Sequence, residues 1–261
     1  MRPKSIIDLS HALKEPTPCY PGDPGFGMKS ACCFPLSAST NSDKGDDPSM
    51  VVTVHSLSLG THTGTHVDAP YHFFPQGKKL QEIEIQRLVG RAVVLDVRHL
   101  AKERGRIEWV DVVGSGAGKE SLTTSALGEV GPRSEGKADI VLFWTGWDVH
   151  WGSAEYFAHP YFSRGVAEKL REMGVTVLGV DVLNPDETPA DESVETKDGF
   201  GVHEVLLGNG VIICENLRGL GELAAGVGEG EVWVSLMPLS IHDADGAPVR
   251  AYGWREEYVG Q

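Results

Sequence analysis

Seven short segments rich in β-branched and apolar residues, each bounded by Gly, Pro or charge, recur along this chain. They are SIIDLS (5–10), MVVTVHSLSL (50–59), RAVVLDV (91–97), ADIVLFWT (138–145), VTVLGVDVL (175–183), GVIICE (210–215) and VWVSLMPL (232–239). Four are nearly continuous apolar runs, the pattern of strands covered on both faces. Segment 50–59 alternates instead, with Val52, Val54 and Ser56 opposed to Val51, Thr53 and His55, which predicts a half-exposed strand. Helical spacing appears at 165–174, where Val166, Leu170 and Met173 share a face, and at 201–210, where Val202, Val205 and Leu206 do; both runs end in glycine. Strands and helices alternate in the second half, while the first half is rich in strands and loops. The expected class is mixed α/β, one domain over 1–261. Residues 28–50 and 114–136 read as loops, and neither resembles an interdomain linker because strand signals resume at once.

Composition narrows the function classes. The chain has 261 residues and a formal net charge of -14, which disfavours a nucleic-acid partner, since phosphates would be repelled. No run of about 18 apolar residues offers a membrane span. The opening MRPKSIIDLSHAL lacks a sustained apolar core and reads as a first strand, not a signal peptide. Cys19, Cys32, Cys33 and Cys214 form no CxxC pair, so they are expected to be free thiols in a reducing cytoplasm.

The stretch HTGTHVDAPYHF (62–73) gathers three of the chain's ten histidines with one aspartate. A histidine-rich loop tip and a metal site would both produce such a cluster. Imidazole and carboxylate ligands suit zinc and manganese. His62 and His66 are four apart, but Thr63, Gly64 and Thr65 between them are poor helix formers, so a tight loop is expected. Gly64 would let the backbone fold closely enough for both rings to converge, Asp68 would add an anionic oxygen, and Pro70 would stiffen the turn leading to His72. Taken alone, His203 reads as a helix-surface residue and Glu215 as a paired charge at a strand end.

These residues resemble the metal-dependent cyclase-like hydrolases, the family that contains bacterial kynurenine formamidase and isatin hydrolase. The signature H-x-G-T-H-x-D-A-P-x-H is matched at every fixed position from His62 to His72. YPGDP (20–24), FWTGWD (143–148), VLGVDVL (177–183) and PLSIHDADGAPVRA (238–251) extend the resemblance over almost the whole chain. It implies a single-domain swivelling β/α/β fold, often dimeric or tetrameric, so a homodimer or homotetramer is expected. It implies one metal on His62, His66 and Asp68, with Asp68 bridging to a second on His203 and Glu215. Isatin hydrolase-like members use one metal and carry an amide where Glu215 stands, so Glu215 favours two divalent ions, Zn2+ or Mn2+. The longer segments at 28–50 and 114–136 depart from the short formamidases and leave the substrate open.

The implied chemistry is metal-dependent hydrolysis of a C–N acyl bond in a small molecule, an aryl formamide or cyclic amide, by a metal-bound hydroxide. His72 is assigned proton transfer to the leaving nitrogen; a third ligand or a hydrogen-bond donor behind the metals is its alternative role. Tyr20, Phe73, Trp144 and Trp147 neighbour the matched motifs and would suit a flat aromatic substrate, or simply pack. His159 reads as a surface-loop residue or a hydrogen-bond partner behind the ligands, not as a ligand, and His55 and His242 as structural. GSGAGKES (114–121) has three residues between its glycines and Glu120 after Lys119, so it is no phosphate loop. Lactone or ester hydrolysis at the same site, and a non-catalytic metal-stabilised binding protein, are the competing readings.

Overall fold

The computed structural model describes residues 5–35, 51–114, 126–190, 196–225 and 230–256. Its strands in chain order are β1 (Ile7–Asp8), β2 (Gly27–Pro35), β3 (Val51–Ser58), β4 (His66–Asp68), β5 (Val89–Asp96), β6 (Arg106–Ile107), β7 (Ile140–Trp144), β8 (Tyr161–Phe162), β9 (Val177–Val180), β10 (Ile212–Glu215), β11 (Glu231–Ser235), β12 (Gly246–Pro248) and β13 (Tyr252–Glu256). The α-helices are α1 (Trp109–Val113), α2 (Arg164–Glu172), α3 (Gly201–Gly208) and α4 (Leu220–Ala224). Among the described residues, nine strands form one mixed sheet in the order β1-β13-β11-β5-β7-β9-β10-β4-β12. Its centre, β5-β7-β9-β10, is parallel, and both wings pair antiparallel.

Burial on both faces explains the continuous apolar runs of the central strands. Successive side chains alternate between faces. Val141 and Phe143 of β7, Leu178 and Val180 of β9 and Ile213 of β10 therefore pack against Val166 and Leu170 of α2 and Val202 and Leu206 of α3. The intervening Ile140, Leu142, Val177, Ile212 and Cys214 pack on the other face with Leu217, Leu220 and Leu223. Gly179 of β9 points into that second core, where an added Cβ would lie 2.4 Å from Leu142 and 2.7 Å from Leu217.

All seven expected strands form, though the N-terminal one has only two residues. Three expectations change. Residues 27–35 are not loop but strand β2, paired antiparallel with β3 from Gly27↔Ser58 to Pro35↔Val51; residues 36–50 lie outside the described residues. Strand β3 is not half-exposed: residues 52–58 are exposed throughout, because the hairpin is not part of the main sheet and, among the described residues, its alternating pattern has no core to face. The segment around Asp68 is not purely a loop, because His66–Asp68 is a sheet strand followed by a 3-10 turn over Pro70–His72. Of the expected loop 114–136, residues 115–125, and with them most of GSGAGKES, lie outside the described residues.

Candidate active site

Strand pairing sets the first part of the site. β4 runs antiparallel to β10 with Glu215 opposite His66, Cys214 opposite Val67 and Ile213 opposite Asp68. Residues i and i+2 of a strand, and cross-strand partners, share a face. Val67 and Cys214 therefore enter the apolar core, while His66, Asp68 and Glu215 emerge together on the face covered by α3. All three are at most 5% exposed. His66 Nε2 lies 3.2 Å from Asp68 Oδ1 and 3.4 Å from Glu215 Oε2.

Helix α3 brings the fourth group. Its N-terminus is held by the buried carboxylate of Asp186, which accepts hydrogen bonds from the backbone N–H of Val202 (2.8 Å) and His203 (3.1 Å) and from His203 Nδ1 (2.6 Å). With Nδ1–H committed, His203 Nε2 faces Glu215 Oε1 at 3.2 Å and Asp68 Oδ2 at 3.6 Å. His66 is fixed in the same sense, its Nδ1–H donating to the Gly64 carbonyl at 2.8 Å. Both rings thus turn Nε2 towards the carboxylates, the nitrogen that would carry the lone pair if a cation took the place of its proton, as in ligating histidines.

Asp68 Oδ2 and Glu215 Oε1 are buried without a hydrogen-bond partner. Leaving a buried carboxylate oxygen unsatisfied is costly unless a cation neutralises it. Burial pushes the Glu215 carboxyl up, and neighbouring Asp68 adds to the rise. Asp68 is held well below the usual carboxylate range despite its burial, by His66, His203 and His62. Burial opposes charge on His203, yet Asp186, Asp68 and Glu215 hold its pKa well above the ordinary imidazole value. The cluster sets the Asp68 and Glu215 carboxyl groups among the ring nitrogens of His62, His66 and His203. His62, His66 and Asp68 offer one set of ligand atoms within 4.8 Å of one another, and Asp68, His203 and Glu215 a second. The donor set fits a divalent cation in each, with Asp68 common to both.

His62 and His72 complete the rim. His62 Nδ1 is 2.7 Å from Asp68 Oδ1, and its Nε2 is 3.0 Å from Asp245 Oδ2. Its ring lies against that of His72 with centroids 3.9 Å apart. The close passage depends on two glycines. Gly246 of β12 leaves room for the His62 ring, since a Cβ there would lie 2.8 Å from its Cε1. Gly64 has φ +66°, a left-handed backbone, and its ideal Cβ would meet Leu13 at 2.4 Å. A leucine methyl can move aside but the dihedral cannot. Gly64→Ala is therefore expected to lower stability by about 2 kcal/mol and to weaken metal retention, because the Gly64 carbonyl orients His66. Denaturant unfolding and a metal titration of the variant check this; wild-type values in both would contradict it.

Above the cluster opens a cavity of about 230 Å³ lined by Tyr20, Asp23, Phe73, Phe200, Leu183, Asn184 and Asn216 together with the histidines and carboxylates. That exceeds the ~150 Å³ that holds a benzene ring. Phe73 stacks on His203 with centroids 4.8 Å apart, and Phe200 meets Phe73 edge-on at 5.4 Å. Of the four aromatics expected to bind substrate, Tyr20 and Phe73 reach the cavity, whereas Trp144 and Trp147 lie outside its lining. Trp144 packs beneath the Arg98 guanidinium, 3.6 Å from its ring, and Trp147 donates to the Glu155 carbonyl. Their motif is structural in purpose: the buried carboxylate of Asp181, from VLGVDVL, accepts hydrogen bonds from the backbone N–H of Thr145 and Gly146 and from the Thr145 hydroxyl. Buried His159 donates Nδ1–H to the Pro160 carbonyl and accepts from Thr188, so it is not a surface-loop residue. Nor is His203 a helix-surface residue; it is 4% exposed. His55 and His242 lie on the surface, away from the cluster.

Besides the cavity-lining Asp23, Leu183, Asn184 and Asn216, sequence reasoning did not single out Phe200, Asp186 or Asp245. Phe200 precedes α3 and carries no motif. Asp186 and Asp245 each lie in acidic, loop-like surroundings where a solvated charge is the ordinary expectation, although Asp245 stands inside the matched segment 238–251. Asp245 has its carboxyl held far below the usual range by the His62 and His72 hydrogen bonds, against partial burial.

Fold and site together define a hydrolase of the cyclase type. Residues 7–187 match the Cyclase family model, described as "Putative cyclase", and the chain belongs to that family. The kynurenine formamidase of Bacillus cereus is 30% identical over 253 residues, covering 96% of this chain and 98% of that protein; that of Bacillus anthracis is 29% identical over 251 residues at the same coverage. Among solved structures, an isatin hydrolase bound to the product analogue thioisatinate superimposes with a TM-score of 0.71 at 20% identity, covering 95% of this chain and 91% of that one. A predicted metal-dependent hydrolase of Bacillus stearothermophilus gives 0.64 at 24% identity, with 97% and 98% covered. At these identities the structural likeness establishes the fold.

Proposed function

We propose that the protein is a metal-dependent hydrolase of C–N acyl bonds, arylformamidase-like, acting on an aryl formamide or a cyclic amide. The observation that carries this reading is the pair of buried carboxylate oxygens on Asp68 and Glu215 without a hydrogen-bond partner, facing Nε2 of His203. His62, His66 and Asp68 would hold one divalent ion, zinc or manganese, and Asp68, His203 and Glu215 a second. Such ions, when bound, supply Lewis acidity that makes water nucleophilic near neutral pH and polarises the acyl carbonyl.

The chain's own residues do the rest. His72, on the rim with one nitrogen towards the cavity, takes a proton from the attacking water and delivers it to the leaving nitrogen. A C–O bond forms as the C–N bond breaks, and the proton count closes. Phe73, Phe200 and Tyr20 flank the space above the cluster and favour a flat aromatic group. The kynurenine formamidases that align along nearly the whole chain support a formamide over a lactone, and no feature of the site favours the lactone or a non-catalytic role separately. A hydrolysis screen of the protein reconstituted with zinc or manganese, over N-formylkynurenine, isatin, other amides and lactones, tests the reading. Turnover that persists in rigorously metal-free protein, or confined to lactones, would overturn it.

The same reading takes the chain as one catalytic domain, cytoplasmic, working as a homodimer or homotetramer. No helix among the described residues is long and apolar enough to cross a membrane. The β2–β3 hairpin supports assembly: Met28, Val52, Val54 and Leu57 are 41 to 60% exposed on a two-stranded arm that pairs with no other strand among the described residues. Light scattering of the metal-loaded protein should give a multiple of 28.2 kDa; a monomer would refute it.

A further inference from the structure

One carboxylate oxygen sits between the two rim histidines. Asp245 Oδ2 lies 3.0 Å from His62 Nε2 and 3.3 Å from His72 Nδ1. We infer that Asp245 is a positioning residue that sets the tautomers of both rings at once, tying a metal ligand to the proton-transfer group. The inference rests on the hydrolase reading above for the role of His72, but not for the geometry.

Asp245 is well placed to act as a fixed reference. Its carbonyl accepts the Ala69 N–H at 2.8 Å, and the next residue, Gly246, stands opposite Asp68 in the β12–β4 pair. The backbone that carries Asp245 is thus pinned to the strand that carries Asp68. A carboxylate only accepts hydrogen bonds, so both nitrogens facing it must carry protons. For His62 both nitrogens face carboxylates, Nδ1 at Asp68 and Nε2 at Asp245; if an ion takes the place of the Nδ1 proton, the Asp245 contact keeps the remaining proton on Nε2 and leaves Nδ1 as the ligand atom of the first set. For His72 it places the proton on Nδ1 and leaves Nε2, which has no hydrogen-bond partner among the described residues, as the basic nitrogen. His72 Nε2 can then accept a proton without first exchanging one, and the two rings, 3.9 Å apart and tilted by 34°, keep their relative orientation. A carboxylate behind a catalytic imidazole has this effect in hydrolases generally: it orients the ring and stabilises its charged form without taking the proton itself. A carboxylate behind a metal-bound imidazole strengthens the ligand and fixes its direction. Here a single oxygen performs both tasks.

His62, His72 and Asp245 also fall within the distances of a ligand triad. Occupation by a further ion would engage the second nitrogen of His62 and remove His72 from proton transfer, so it opposes the inference and is separable by experiment.

The test uses the full-length, metal-loaded protein and its Asp245→Asn and Asp245→Glu variants, with histidine labelled in the imidazole nitrogens. In the wild type, nitrogen NMR should find His72 protonated at Nδ1. Asp245→Asn, whose amide can donate to one ring, should shift His72 towards the Nε2–H form and weaken metal affinity by about 10- to 100-fold. It should lower kcat by about 10²- to 10⁴-fold at saturating metal, with KM within threefold. Asp245→Glu, which restores the charge, should keep the Nδ1–H form and recover at least about tenfold of the lost kcat. An unchanged His72 tautomer in Asp245→Asn overturns the inference. So does a further equivalent of bound metal in the wild type that the variant loses. The spectroscopic and metal-binding results need no substrate, so an inactive wild type with the expected tautomers would count against the hydrolase reading alone.

Discussion

Asp68→Asn should leave the protein folded but unable to hold its full complement of metal, and activity should fall by at least about 10³-fold. The substitution is nearly isosteric, so the β4–β10 pairing and the burial of Val67 are kept. What it removes is a negative charge common to both ligand sets, one oxygen of which has no other partner. An amide can offer only its carbonyl oxygen, and its NH2 group would then confront the imidazole nitrogens. Each tenfold loss of rate corresponds to about 1.4 kcal/mol of transition-state stabilisation. Removing an anion shared by the two proposed ligand sets should cost more than about 4 kcal/mol on this scale, because neither ion would then be held firmly enough to supply its Lewis acidity. Elemental analysis after dialysis, beside steady-state kinetics, checks the result. Two tightly held ions per chain in Asp68→Asn, or activity within tenfold of wild type, would refute the shared-ligand reading. A limit of one ion per chain in the wild type would refute its two-ion form.

His72→Ala has the opposite signature: metal retained and turnover lost. His72 is partly exposed at the rim, its side chain 28% accessible, and the two ligand sets proposed to hold metal are complete without it. Its loss should therefore leave metal content and thermal stability close to wild type while kcat falls by about 10²- to 10⁴-fold, the range for a removed proton-transfer group. The comparison with His66→Ala is informative. His66 is 2% exposed and faces both Asp68 and Glu215, so its removal should abolish metal binding and activity together. If His72→Ala also emptied the site, His72 would be a ligand and the proton-transfer assignment would fail. If it left kcat intact, the proton would have to travel by another route.

The two variants divide the cluster into parts that a sequence motif does not separate. His62, His66, Asp68 and His72 fall within eleven residues, and spacing alone cannot say which rings point inward. The strand pairing does so for His66 and Asp68, which sit two apart on one face of β4. His72 lies beyond the strand, on a 3-10 turn begun by Pro70, and enters from the rim.

The amino-acid sequence by itself determined the central strands, because their runs of apolar residues admit only burial on both faces, and the helices α2 and α3, because 3.6-residue periodicity ends at a glycine in each. It also singled out His62, His66, Asp68 and His72 as a candidate cluster, residues that the fold does bring close together. Only the tertiary structure decided that β4 joins the sheet next to β10, which places Glu215 opposite His66 across 149 residues of chain. It decided that Asp186 caps α3 and turns His203 inward, that Trp144 and Trp147 serve the Arg98 and Glu155 contacts, and that β2 and β3 form a sheet of their own. It alone brought Asp245 against both rim histidines. The physical reason is common to all of these: a charged residue in a polar stretch looks the same in sequence whether solvent or a buried imidazole receives it, and only the pairing of distant strands settles which.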